Sequence, residues 1–210
     1  YLLANDGKGN FTNVTEQLAP SLTNMGMITD ATWADVDGDK DWDLIIVGDW
    51  MPVKIFINEK GRLTDQTEQW GLAQSKGWWN TLAPIDLDND GDIDFVVGNH
   101  GRNSRFRAQT DKPICMYVND FDQNGSVEQI ICMYNGDTSY PIVLRHDLVA
   151  QLLGLKKKYL KYENYQDQKI EDIFTPEQMK QAVKLEVTEL SSVVLINTGG
   201  KFKITPLPVE

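Results

Sequence analysis

The chain has 210 residues, enough for one large domain or two small ones, and a formal net charge of −11 at pH 7. The charge is local, because three short runs hold five, five and three of the 31 acidic residues. Such a surface does not favour nucleic acid, which binds to basic faces. No apolar run approaches the length of a membrane span, so we expect a chain that does not cross a membrane.

A β-hairpin pattern opens the chain and recurs twice. Residues 1–12 contain an apolar run, a turn rich in Asn and Gly, and an alternating run, and residues 53–64 and 193–204 repeat this order. Asn and Gly accept the positive φ of tight hairpin turns. Each segment is therefore predicted to form two antiparallel strands.

Three acidic runs share a nine-residue pattern. Carboxylates occupy every odd position of residues 35–43 and 86–94, and residues 120–128 repeat the pattern less strictly. Carboxylates this crowded repel one another unless a hard cation holds them, and Ca²⁺ takes six to eight oxygen ligands at flexible geometry. The runs therefore predict three structural calcium sites.

In such a loop, side-chain oxygens at positions 1, 3, 5 and 9 and the main-chain carbonyl of position 7 would bind the ion. The predicted side-chain ligands are Asp35, Asp37, Asp39 and Asp43, then Asp86, Asp88, Asp90 and Asp94, and finally Asp120, Asp122, Asn124 and Glu128. The predicted carbonyl ligands are Asp41, Asp92 and Ser126. The third site is expected to be the weakest, because Asn124 replaces a carboxylate.

Three other interpretations of the acidic runs are less consistent with the pattern. An EF-hand needs a bidentate Glu at position 12, which here is Ile46, Val97 or Ile131. A catalytic pair needs two carboxyl groups with separated pKa values, whereas these positions are equivalent. Acidic loops that bind only solvent remain an alternative, although three copies in register argue against it.

The flanks of the first two runs also align, at a spacing of about fifty residues. Each unit then reads as a strand before the acidic loop, a strand after it and a hairpin. Four-stranded units at this period are typical of a β-propeller. We predict an all-β fold, a partial β-propeller of about three and a half four-stranded blades with a small helical insertion. A β-sandwich is the alternative.

The predicted boundaries are a half blade at 1–25, a blade at 26–76, a short blade at 77–111, a third blade at 112–145 with 183–210, and a helical insertion at 146–182. The insertion is inferred from the helical spacing at 147–153 and from a capping box at 175–178. So few blades do not close a ring, so we expect the remaining blades of a longer chain, or a second copy, to complete it.

Two cysteines, Cys115 and Cys132, have too few partners for a zinc site, because His100 and His146 are the only histidines. The cysteines are predicted either to form a disulfide across a hairpin or to remain two buried, reduced thiols. The sequence leaves both alternatives open.

A candidate ligand surface is predicted on the face opposite the acidic loops. It would contain Trp50, Trp78, Trp79, His100 and Arg102, because strand one begins and strand two ends on that face. Trp, His and Arg are suited to protein hot spots, and Trp can also stack on sugar rings. By contrast, Trp33 and Trp42 are expected to pack as core between blades.

The segments after the first two loops, 42–48 and 93–99, resemble FG-GAP/VCBS repeats, the calcium-loop blades of integrin α-chain propellers. Residues 77–80 and 103–106 are more similar to bacterial VCBS-repeat proteins of the Bacteroidetes type. Those chains are often joined to an ASPIC/UnbV domain, whose sequence this chain does not contain. The resemblance implies an extracytoplasmic setting: cell surface, periplasm or secreted.

Two functions follow as expectations. The first is a calcium-stabilised module that binds a protein or carbohydrate partner, with calcium structural and no catalytic residue. The second is the propeller domain of a glycan-processing enzyme. The chain contains no nucleophile elbow, HExxH motif or phosphate loop, so we expect a protein that is not an enzyme.

Overall fold

A computed structural model describes residues 1–208. The fold is all-β with short helices, as predicted, and its antiparallel sheets are consistent with a partial β-propeller. The chain divides into two compact units: a first unit of residues 1–103 with 189 onward, and a second unit of residues 104–188. Each unit has an apolar core of its own. No helix among the described residues is both long and apolar enough to cross a membrane.

The elements follow one another in a simple order. The strands are β1 (Leu3–Asn5), β2 (Phe11–Asn13), β3 (Met27–Ala34), β4 (Asp43–Met51), β5 (Lys54–Glu59), β6 (Arg62–Asp65), β7 (Gly77–Ile85), β8 (Asp94–Asn99), β9 (Ile114–Asn119), β10 (Glu128–Asn135), β11 (Thr138–Pro141), β12 (Val183–Val187), β13 (Val193–Asn197) and β14 (Phe202–Pro206). The α-helices are α1 (Thr15–Leu18), α2 (Arg145–Gln151), α3 (Ile170–Ile173) and α4 (Pro176–Gln181), and 3₁₀ turns lie at Pro20–Leu22, Leu153–Lys156 and Tyr162–Asn164.

The first blade consists of β3, β4, β5 and β6 in that order, with the first acidic loop between β3 and β4. Residues 44–47 of strand β4 form a continuous apolar run, so both faces of the strand are buried in apolar surroundings. The β5–β6 hairpin turns at Lys60 and Gly61, both with positive φ. The β1–β2 hairpin forms as predicted.

The second blade is complete and consists of β7, β8, β13 and β14. The prediction that residues 183–210 belong to the third blade is therefore wrong for its hairpin, because Val193 pairs with Val97 and Leu195 with Phe95 on β8, whereas β12 does pair with β9. The prediction of a short blade at 77–111 is wrong for the same reason. Hairpin chemistry is local, whereas the partner strand is chosen by burial: the Phe202 ring packs edge-on against Phe95, 5.7 Å between centroids.

Side chains on β3 tie the first blade to the second. The hydroxyl of Thr29 donates to the carbonyl of Trp79 at 2.6 Å. The carboxylate of Asp30 accepts from the hydroxyl of Thr81 at 2.8 Å and from the main-chain N–H of Leu82 at 3.0 Å. The Leu82 N–H is the main cause that lowers the pKa of Asp30. These bonds hold the first strands of neighbouring blades in register.

The second unit contains a four-stranded sheet with the order β11, β10, β9, β12. The third acidic loop joins β9 to β10, as predicted, but β12 pairs with β9 on the side away from β11. This order differs from that of the two blades. The five helical segments after β11, three α-helices and two 3₁₀ turns, lie between Arg145 and Gln181, in the stretch predicted as helical. The capping box is present: Thr175 N donates to Gln178 Oε1 at 2.8 Å.

The two cysteines face each other on paired strands. Cys115 on β9 is the register partner of Cys132 on β10, and both are buried and free. Burial raises the pKa of the Cys132 thiol to about 12 and also raises that of Cys115. Only the thiolate is nucleophilic, so both groups are poorly reactive while the sheet is intact.

We expect neither thiol to react with Ellman's reagent at pH 8 in the native protein. Both should react within seconds after unfolding in guanidinium chloride, because burial alone suppresses the thiolate. The measurement is the absorbance of the coloured thiolate that the reagent releases, recorded at each denaturant concentration. Rapid labelling of the native chain would contradict this result, and an absence of thiol even after unfolding would show a disulfide.

Candidate metal centres

The three acidic loops share one backbone conformation. Positions 4 and 6 of each loop lie in the left-handed region, where Gly and Asn are the least strained residues. The φ values are 79° at Gly38 and 74° at Lys40, 61° at Asn89 and 96° at Gly91, and 59° at Gln123 and 90° at Gly125. The sequence repeat is thus a repeat of loop geometry.

This conformation brings carboxylates together. In each loop, three of them place one oxygen each within 4.8 Å of the others. The groups are Asp35, Asp37 and Asp39 in the first loop, Asp86, Asp88 and Asp90 in the second, and Asp120, Asp122 and Glu128 in the third. All nine are among the predicted ligands. Asp43 and Asp94, also predicted ligands, do not belong to these groups.

The odd-numbered carboxylates also shape the loops through hydrogen bonds. In the first loop, Asp35 accepts from the N–H of Gly38 at 2.9 Å and from that of Lys40 at 3.0 Å. Asp39 accepts from the N–H of Asp41 at 2.9 Å, an Asx turn. Equivalent bonds to Asp86, Asp88 and Asp90 form the second loop. The same side chains therefore fold the loop and supply its oxygens.

The position-9 carboxylate has a second role that sequence reasoning missed. Asp43 is fully buried, and its two oxygens accept from the main-chain N–H groups of Val36 at 2.9 Å and Asn58 at 2.8 Å. It thus joins the second residue of the loop to the third strand of the blade. Asp94 does the same between Leu87 and Asn197, at 2.9 and 2.8 Å.

In the third loop, Glu128 is buried and accepts from the N–H of Phe121 at 2.9 Å. The recurrence of Asn in the hairpin pattern, at Asn58 and Asn197, was a visible signal for these bonds. The pattern indicated a turn, but not that the Asn main chain would be held by the acidic loop.

Crowding shifts the ionisation of the loops. Burial raises the pKa of Asp41, and the negative charges of Asp39 and Asp37 raise it further. Burial and then Asp90 raise the pKa of Asp88. In the described part of the chain, Oδ1 of Asp41 is buried without a hydrogen-bond partner. A buried oxygen without a partner, next to the three clustered carboxylates of its loop, fits a hard divalent cation such as Ca²⁺.

The predicted ligand surface forms in part. The Trp78 ring lies edge-on to Trp50 and to His100, each with centroids 5.1 Å apart. His100 and Arg102 are exposed, and the Arg102 guanidinium lies 3.4 Å from the Glu189 carboxylate. Trp78 itself is only 9% exposed. The structure therefore presents a mostly buried indole with two exposed polar residues beside it.

The prediction of a ligand contact at Trp79 is wrong. Its side chain is fully buried in the core of the first unit, where Nε1 donates to the Ser75 carbonyl at 2.8 Å. Gly77 leaves room for this ring, since a Cβ there would lie 2.5 Å from it. Successive residues on a strand face opposite sides, so Trp78 and Trp79 cannot share one surface.

The expectation that Trp33 and Trp42 form core is also wrong, since they are 44% and 63% exposed. Trp33 precedes the buried Ala34 on β3, and alternation along the strand turns it outward. Trp42 lies in the acidic loop before β4 begins. Trp42 is therefore part of the first acidic loop, and Trp33 lies just before it.

One comparison with known proteins gives a match. Residues 35–97 match the family model of the FG-GAP-like repeat, a segment that contains both acidic loops of the first unit. No match was found among curated proteins or among solved structures. The repeated loop geometry, the four-stranded blades and this match together support an FG-GAP/VCBS-type repeat protein.

Proposed function

We propose that this chain is a calcium-stabilised β-propeller segment that serves as an interaction module outside the cytoplasm. The observation that carries the proposal is the set of three loops with one backbone geometry, each collecting three carboxylates within 4.8 Å. When bound, Ca²⁺ supplies the positive charge that offsets their repulsion. The match to the FG-GAP-like repeat supports the same function.

The ion has a structural role in this proposal. Each loop joins the first and second strands of a sheet, and its position-9 carboxylate is bonded to main-chain N–H groups rather than exposed as an acid or base. Binding free energy at such a loop stabilises the folded sheet by linkage. The residues nearest the ion therefore hold and orient the strands, and they carry no proton to a substrate.

An extracytoplasmic setting agrees with the ligand chemistry, because extracellular calcium modules work at millimolar ion concentrations with loops of modest affinity. The more specific assignment, to bacterial VCBS-repeat proteins of the Bacteroidetes type, is part of the proposal. Its support is the resemblance at residues 77–80 and 103–106. The ASPIC/UnbV domain often joined to such proteins would belong to a longer parent chain.

The partner surface is proposed at Trp50, Trp78, His100 and Arg102. Trp50 has a φ of 61°, which is strained for a bulky residue and lies where the β4–β7 register shifts. Such bulges re-aim side chains and are frequent next to binding sites. An aromatic base with an adjacent His and Arg suits a protein hot spot or a carbohydrate.

The test is capture on protein and glycan arrays in calcium and in EDTA. We expect a double variant, His100→Ala with Arg102→Ala, to lose at least tenfold in capture while its melting temperature changes by no more than about 2 °C. Both side chains are exposed, and a surface ion pair such as Arg102–Glu189 contributes about 0–1 kcal/mol.

The matched control is Arg62→Ala with Lys201→Ala, which removes two exposed cations from hairpins elsewhere in the first unit. This control should bind as the unmodified chain does. Trp78→Ala is unsuitable, because removing a mostly buried ring that packs on Trp50 and His100 would destabilise the blade by roughly 3–5 kcal/mol. Unchanged capture by the double variant would refute the surface.

A further inference from the structure

A chain of hydrogen bonds connects the first acidic loop to the second. Val36, the second residue of the first loop, donates its N–H to Asp43, and its carbonyl accepts from Nδ2 of Asn197 at 2.8 Å. The main-chain N–H of Asn197 donates to Asp94, which closes the second loop. The path is therefore Asp43, Val36, Asn197, Asp94, and it crosses from the first blade to the second.

Every member of this path is buried. Asp43 and Asp94 are fully buried, Asn197 is 1% exposed, and Val36 is 4% exposed. Hydrogen bonds in such surroundings are electrostatically stronger than in water, and a partner lost there is costly. If one loop moved without the other, at least one of these buried hydrogen bonds would break, and the folded state would lose stability.

Asn58 is the equivalent asparagine of the first blade, but its side chain does not connect the two acidic loops. Like Asn197, it donates its main-chain N–H to a position-9 carboxylate, and its side-chain oxygen accepts from the Gly N–H of the turn that follows. Its Nδ2, however, donates to the carbonyl of Trp42 at 3.1 Å, in the loop of its own blade. The two asparagines therefore differ in the carbonyl that they hold.

The third loop has no part in this path. The carbonyl of Phe121, equivalent in position to that of Val36, accepts from Nε2 of Gln178 at 2.6 Å. Gln178 lies on α4, within the same unit as the loop. The third loop thus has the same geometry as the first two but lies outside the hydrogen-bond path that connects them.

We propose that the first two acidic loops bind calcium cooperatively and that Asn197 is the positioning residue that couples them. This inference rests on the calcium binding proposed above. An ion that orders the second loop fixes Asp94, hence the main chain of Asn197, and through its side-chain amide the carbonyl of Val36. The first loop then loses less conformational freedom when it binds its own ion, and the effect is reciprocal.

The experiment uses Tb³⁺ as a calcium substitute whose luminescence is excited through a nearby tryptophan. Trp42 lies within the first loop, whereas the second and third have Ile93 and Val127 at that position. Tb³⁺ titrations therefore report the first loop, and competition with Ca²⁺ repeats them with the natural ion. The second loop is disabled by Asp88→Asn with Asp90→Asn.

We expect the disabled second loop to weaken Tb³⁺ binding at the first about five- to tenfold, within the usual range of coupling between sites. In an Asn197→Ala background the same pair of substitutions should change that affinity less than twofold. Asn58→Ala is the matched control, since it removes the equivalent local bonds but not the connection between blades. It should weaken the first loop and keep its dependence on the second.

Each result decides a different claim. If disabling the second loop leaves the first unchanged in the otherwise native chain, the coupling is refuted, although calcium binding stands. If the dependence survives in Asn197→Ala, the role of Asn197 is refuted. Should Asn197→Ala fail to fold, Asn197→Leu has a similar volume and keeps the main-chain bond to Asp94, but its side chain has no donor for Val36. If no Tb³⁺ or Ca²⁺ binds to any loop, the proposed function itself fails.

Discussion

Chelating calcium with EDTA should lower the melting temperature of the chain, and restoring the ion should reverse the loss. An ion at a hundredfold excess over its dissociation constant stabilises the folded state by about 2.7 kcal/mol. For chains of this size, one kcal/mol corresponds to roughly 2–4 °C, so each saturated loop should contribute about 5–10 °C. Circular dichroism or calorimetry in EDTA and in CaCl₂ measures it. If the two units melt separately, both transitions should shift, because each unit contains an acidic loop.

Asp37→Asn provides the sharper form of this test, because the sign of its effect should depend on the ion. In EDTA the substitution removes one of several mutually repelling charges, so the melting temperature should rise or stay unchanged. In CaCl₂ it removes a ligand, so the melting temperature should fall by several degrees. Glu68→Gln, an exposed charge outside the loops, is the control and should respond equally in both conditions. A variant that is as stable as the unmodified chain in CaCl₂ would contradict the assignment.

Asp43→Ala should destabilise the first blade even without calcium. Its buried carboxylate accepts from the N–H groups of Val36 and Asn58, and each buried donor left unpaired costs about 1–3 kcal/mol. Burial raises the pKa of Asp43, which means that its buried charge is itself unfavourable. Removing that charge offsets part of the cost of the two unpaired N–H groups. We therefore expect a net loss of at least about 2 kcal/mol, measured by urea unfolding in EDTA.

Asp39→Ala is the matched control for Asp43→Ala. It also removes a carboxylate from the first loop, but the side chain is exposed and, within residues 1–208, its one hydrogen bond is from the N–H of Asp41. In EDTA it should cost less than about 1 kcal/mol, and its larger effect should emerge only in CaCl₂. Equal losses for the two variants in EDTA would show that Asp43 has no separate structural role.

Local patterns predicted the first blade and the acidic loops well. The four strands of the first blade follow one another in the sequence without interruption. The alternate carboxylates and the Lys60–Gly61 turn each depend on the chemistry of only a few neighbouring residues. The three clustered carboxylates of each loop all come from positions that the nine-residue spacing had marked. Short-range chemistry was sufficient in these places.

Long-range pairing could not be predicted in the same way. The hairpin at β13 and β14 has the same local chemistry as any other, and only the burial of Leu195 and Phe202 near Phe95 selects β8 as its partner. The orientation of Trp33 and Trp79 depended likewise on which face of a strand meets the core. The bond from Asn197 to Val36 joins residues far apart in the chain, so no local motif contains it.

In the sequence, residues 104–188 of the second unit are inserted between β8 and β13, and this order has a consequence for biosynthesis. On the ribosome, the first blade can assemble as soon as β6 has emerged, because its strands are consecutive. The second cannot be completed until residues 104–188 and then β13 have been translated, and until then the edge of β8 that will pair with β13 stays open. During that interval an apolar strand edge is open to wrong partners, which makes the nascent chain vulnerable to aggregation until its last hairpin docks.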